Sequence, residues 1–84
     1  PNANLMVFPN PAKGKLNLKM KNTSGQRYEV VMYDLNGKII FNQSYLSDKL
    51  GAGISIDLEM CGSGIYMLKV IAEDNSYSKK IIVR

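Results

Sequence analysis

A small antiparallel β-sandwich of about seven strands is the fold this sequence predicts. Three observations predict it: apolar residues recur with a period near two, Gly, Asn and Pro interrupt that alternation at near-regular intervals, and no helical stripe stands out. The 84 residues leave room for one domain, which at this size buries roughly 60% of the surface of its unfolded chain. Hydrophobic residues make up 45% and charged residues 21%, so disorder and a membrane span are both unexpected. Eleven Lys and Arg stand against seven Asp and Glu, a net charge of +4 that permits acidic partners without demanding them.

The elements follow in order. An apolar strand at residues 5–8 runs into Pro9, whose missing N–H confines it to a strand end or edge. Over residues 15–21, Leu16, Leu18 and Met20 alternate with Lys15, Asn17, Lys19 and Lys21, which describes a strand with one wet face. Tyr28, Val30 and Met32 alternate with Glu29, Val31 and Tyr33; both faces are largely apolar, so this strand is expected to be central. Asp34, Leu35, Asn36 and Gly37 then make a turn, with the reversal expected at Asn36-Gly37, so residues 28–45 read as a hairpin. Breaks at 47–53, 60–64 and 73–76 leave strands near 38–46, 54–58, 65–72 and 77–83. In the second of these, Ile54, Ile56 and Leu58 oppose Ser55, Asp57 and Glu59.

A lone sheet of about seven such strands would leave an apolar face wet, so two packed sheets follow. The expected connection is an immunoglobulin-like Greek key. No internal repeat or low-complexity linker interrupts the chain. Its start at Pro1, with no basic stretch or apolar run after it, reads as a piece of a longer precursor.

Little in the composition suggests catalysis. Histidine is absent, which removes the commonest general base and the Ser-His and Cys-His pairs. The carboxylates Glu29, Asp34, Asp48, Asp57, Glu59, Glu73 and Asp74 fall in turns or on polar strand faces, where solvation accounts for them. Glu73-Asp74-Asn75 resembles half of a cation loop but lacks the distal Glu of an EF-hand. Cys61 is a lone cysteine, so no internal disulfide forms and its expected role is structural or incidental. Lys13, Lys15, Lys19 and Lys21 gather on one outward face, but no aromatics alternate with them as single-stranded nucleic acid binding requires. Two glycosylation triplets, at Asn22 and Asn42, are weak signals. No enzyme activity, cofactor, metal or nucleic acid is expected, and no stable membrane insertion.

Four stretches, taken together, are more specific. Residues 5–14 read LMVFPNPAKG, with Pro9, Asn10 and Pro11 after an apolar strand; residues 30–40 read VVMYDLNGKII, with Tyr33, Asp34, Gly37 and Lys38. Gly64, Ile65 and Tyr66 open a further strand, and the chain closes on KKIIVR, from Lys79 to Arg84. In order and spacing they resemble the C-terminal sorting domain of type IX secretion, the Por secretion system of Bacteroidetes-type bacteria. Phe8 stands where that family more often has Tyr, and Arg84 where Lys is frequent.

The resemblance implies a secretion signal fused to an upstream cargo, with residues 1–4 as the end of a linker and 5–84 as the sorting domain. It implies partners in the translocon and in a sortase-like surface peptidase that removes the domain. The location implied is the periplasm in transit, then the cell surface or the medium. Residues Lys79, Lys80, Ile81, Ile82, Val83 and Arg84 are the expected recognition segment. They would form an exposed terminal strand to which a receptor adds a strand, or whose end and basic side chains it captures. Such a strand would also be able to pair edge to edge with another copy. Pro9 and Pro11 are expected to act mainly on shape, and Tyr66 as a core aromatic with its hydroxyl on a backbone partner. The competing reading is a non-catalytic immunoglobulin- or fibronectin-like surface module binding carbohydrate or protein. Its aromatic platform would fall to Tyr45 and Tyr77, since Trp is absent.

Overall fold

The structure, a computed structural model, describes residues 4–21, 23, 25–73 and 75–84. Its strands are β1 (Leu5–Lys13), β2 (Lys15–Met20), β3 (Arg27–Asp34), β4 (Ile39–Leu46), β5 (Ile54–Asp57), β6 (Gly64–Ile71) and β7 (Ser76–Val83), with one helix, α1 (Ser47–Ala52), between β4 and β5. Hydrogen-bonded neighbours run β4-β3-β6-β7-β1-β2-β5. A small sheet of β1, β2 and β5 and a large sheet of β4, β3, β6 and β7 share β1, which belongs to both. β2 pairs with β5 and β3 with β6, skipping the intervening strands; these crossings make the Greek key.

Alternation places the core as expected. Leu16, Leu18 and Ile56 face inward from the small sheet and meet Val30, Met32, Leu68, Val70 and Ile81 from the large one; all are fully buried. Among the described residues no buried side-chain nitrogen or oxygen lacks a hydrogen-bond partner. β3 is central, between β4 and β6.

Three local features differ from the expectations. β1 does not stop at Phe8: its first half pairs with β2, from Leu5 opposite Met20 to Phe8 opposite Asn17, and then its end crosses to the large sheet, where Ala12 lies parallel to Val83. The switch falls at Pro9 and Pro11, which have no N–H with which to continue a ladder; both of their peptide bonds are cis. The hairpin reversal lies one residue earlier than expected. The Gly37 N–H donates to the Asp34 carbonyl (3.0 Å) and Gly37 takes φ 85°, so Leu35-Asn36 is the centre and Gly37 fills the left-handed position that follows a three-residue reversal.

The third difference is α1, expected as a plain break. Six residues are too few to show a helical stripe, and only Leu50 points into the core, at 0% exposure. The helix lies against β2 and β4, and ends where Gly53, at φ 106°, donates its N–H to the Lys49 carbonyl (2.9 Å). No described helix is long and apolar enough to cross a membrane.

Between Pro9 and Pro11, Asn10 turns its side-chain amide onto β7. Its Nδ2 donates to the Lys80 carbonyl at 2.9 Å, and its Oδ1 accepts from the Ile82 N–H at 3.0 Å. Two residues on, the Arg84 N–H donates to the Ala12 carbonyl at 2.9 Å. One side-chain amide thus offers β7 the donor and acceptor that a neighbouring strand would offer. Asn10→Ala removes both bonds, and a thermal melt should show a loss of about 1–3 kcal/mol, since each such bond contributes about 0.5–1.5 kcal/mol net.

Candidate functional site

The terminal segment is split by the period of its strand. Ile81 and Val83 face the core and are buried, and Lys79 shares their side at its half-buried margin, opposite Leu68. Lys80, Ile82 and Arg84 face the other way; Lys80 and Arg84 are exposed and Ile82 is half-buried. Of the terminal segment, these three side chains make up the outward face.

The expectation of an open terminal strand is corrected here. β7 lies between β6 and the end of β1, and from Lys80 to Arg84 its outer backbone groups are held by Asn10 and Ala12. A receptor strand, or a second copy, would have to displace that segment before pairing there. Capture of side chains is compatible with the geometry as it stands.

Residues far apart in sequence come together around this strand. Asp34 of β3 is opposite Tyr66 of β6, and Tyr66 is opposite Ile81 of β7. Asn10 borders the same row, because it bonds to the residues on either side of Ile81. Gly64 lies opposite Val83. Several of these groups have structural work. The Asp34 carboxylate accepts the N–H groups of Asn36 and Lys38, both at 2.9 Å, which organises the turn holding Gly37. The Tyr66 hydroxyl donates to the Gly62 carbonyl at 2.6 Å and ties down the loop before β6. Lys38, Pro9, Asn10 and Pro11 are exposed.

The outward face of the large sheet was not anticipated. A row crosses four strands from Ile39 through Tyr33 and Met67 to Lys80, and beside it Ile65 faces Ile82. Ile39 is 57% and Ile65 42% exposed, and Tyr33, Met67 and Ile82 are half-buried. The signal was present in the sequence: β6, like β3, is apolar at successive positions. Such a pattern suits a central strand, but centrality concerns a strand's hydrogen-bonding edges and not its faces. In a two-layer sandwich the outer face meets solvent, and it is usually polar. The small sheet is closer to that rule, with Lys15, Lys19, Ser55 and Asp57 exposed, although Phe8, opposite Asn17 on the same face, is 49% exposed.

The other candidate residues do not assemble into a site. Lys13, Lys15, Lys19 and Lys21 are exposed. Tyr45 and Tyr77 pack against the core as half-buried residues, with burial holding the Tyr45 hydroxyl above its ordinary pKa, so they make no flat aromatic platform for a sugar. Burial, and then the nearby Asp57 carboxylate, push the Cys61 thiol up, away from the thiolate that reactivity requires. The glycosylation triplet at Asn22 and the acidic turn at Asp74 involve residues outside those described, as do Pro1, Asn2 and Ala3 of the expected linker. Among the described residues no group of three or more His, Cys, Asp or Glu is placed to hold a metal ion.

Two sheets with this pairing order, joined by a first strand that serves both, define an immunoglobulin-like β-sandwich. The crystal structure of a DUF3244-family protein with that fold from Bacteroides vulgatus aligns with a TM-score of 0.78, over 96% of this chain and 84% of that one, at 16% identity. At that identity the likeness shows the fold. No curated protein matches the chain. The family model for the secretion system C-terminal sorting domain matches residues 6–84, and the chain belongs to that family, the sorting domain of type IX secretion. Membership implies fusion to a cargo and export to the cell surface or beyond it.

Proposed function

We propose that this domain is the address by which a type IX translocon takes up its cargo from the periplasm, and that the address is read from the side chains of the terminal strand. The observation that carries this reading is the division of that strand. Lys80, Ile82 and Arg84 stay accessible while Ile81 and Val83 belong to the core, so the label can be read without opening the fold. The machinery serves many cargoes and must read a feature they share; a rigid sandwich with a basic, partly apolar end supplies one.

After passage across the outer membrane, a sortase-like peptidase removes the domain by cutting on its amino-terminal side. The carbonyl of Asn4 accepts the Lys21 N–H at 2.8 Å, which ties the backbone down at that point. We therefore place the cut upstream of Asn4, outside the hydrogen-bonded body of the domain. In this role the domain is substrate and signal, with no catalysis of its own.

The test is a periplasmic reporter fused to residues 1–84 and expressed in cells with and without the translocon. The expected result is reporter at the surface or in the medium only when the translocon is present. Equal retention in both strains would refute the reading.

A further inference from the structure

The apolar row on the outer face of the large sheet extends well beyond the terminal strand, and none of its residues belongs to the buried core between the sheets. Ile39, Tyr33, Met67, Ile65 and Ile82 form its centre across β4, β3, β6 and β7. Cations border it: Lys38 precedes Ile39, Lys69 lies one row away opposite Val31, and Lys80 and Arg84 close the β7 side. Of the acidic groups nearby, Asp34 is engaged by the turn amides and Glu29 lies two rows off, opposite Ser44 and Ile71.

We propose that this face is a docking surface for a protein of the export machinery whose matching surface has an apolar centre bordered by carboxylates. The inference rests on the address reading and extends it from three side chains to a face spanning four strands. Charge decides between occupants. A second copy would bring like cations together at the rim, which disfavours that pairing. An anionic lipopolysaccharide would satisfy Lys38, Lys69, Lys80 and Arg84 with its phosphates, but its acyl chains are held in the outer leaflet of the membrane, and the polar sugars and phosphates that face a protein outside the bilayer offer nothing to the isoleucines, Met67 and Tyr33. A carboxylate-rimmed apolar protein surface matches both parts, with the centre supplying affinity and the rim steering approach.

The test uses positions outside the terminal segment, so that its failure is separate from failure of the address reading. Cargo fusions carry Lys38→Glu with Lys69→Glu or, as a control with the same change in net charge, Lys15→Glu with Lys19→Glu on the small sheet. Melts of the purified domains check folding. A third fusion carries a photo-crosslinking residue in place of Met67. The expected result is a fall in export of about tenfold or more for the first pair, near-normal export for the control, and unchanged melts; a tenfold fall corresponds to about 1.4 kcal/mol of lost interaction. The crosslink should map to an apolar segment flanked by Asp or Glu in an envelope protein. Normal export of the Lys38/Lys69 pair would overturn the docking face, as would equal loss in the control, or a crosslink to lipopolysaccharide or to a second copy. If the unsubstituted fusion itself stays inside, the address reading fails.

Discussion

Ile81→Ala should lower the melting temperature of this domain by about 10 °C or more, a larger effect than any change on the outward side of the same strand. Ile81 is fully buried between the two sheets and lies opposite Tyr66. Truncating such a residue to alanine costs about 2–5 kcal/mol. A domain of 84 residues has only roughly 4–13 kcal/mol in hand, and each kcal/mol lost moves the melt by about 4–8 °C at this size. Circular dichroism followed with temperature reads the shift directly. A change below a few degrees would show that the end of β7 is not part of the core. The same reasoning bears on tail deletions: removing KKIIVR also removes Ile81 and Val83, so loss of export would report unfolding as much as loss of a signal.

The second large effect separates the two. Lys80→Glu, Ile82→Thr and Arg84→Glu together change every outward side chain at the end of the chain and leave Ile81 and Val83 in place. Asn10 bonds to the backbone of Lys80 and Ile82, so its two hydrogen bonds survive. Threonine keeps the β-branched shape that suits a strand. The melt should therefore stay within a few degrees of the parent, while export falls about tenfold or more. Loss of stability comparable to that of Ile81→Ala would mean the outward side chains are structural after all.

Much of the architecture was legible because a strand with one buried face writes its period into the sequence. Leu16, Leu18 and Met20, or Ile54, Ile56 and Leu58, needed only a period of two to be read. Less legible was anything set by distant partners. Asn10 and Ile82 are 72 residues apart, and no local pattern tells which strand will cover the edge of β7. Pro9 and Pro11 broke the alternation, which hid the second half of β1. α1 was hidden by its brevity, with Leu50 as its one buried side chain.

The candidate site was legible in part. KKIIVR stands out as a block, and the period of two divides it into Ile81 and Val83 on one side and Lys80, Ile82 and Arg84 on the other only once the strand's inward face is known. The apolar outer face is visible in Tyr33, Ile65 and Met67, but apolar residues on both sides of a strand, as around Tyr33, are read first as the mark of a central strand. Both have one physical source: a strand's edges and its faces make separate demands, and a run of apolar residues answers for the faces.

The most direct measurement of the central claim is the surface-to-periplasm ratio of a reporter fused to the domain carrying Lys80→Glu, Ile82→Thr and Arg84→Glu, with the trapped protein recovered and melted. A folded domain that accumulates in the periplasm is the predicted result. The same folded domain at the surface in parental amounts would contradict the claim that the outward side of the terminal strand is what the secretion machinery reads.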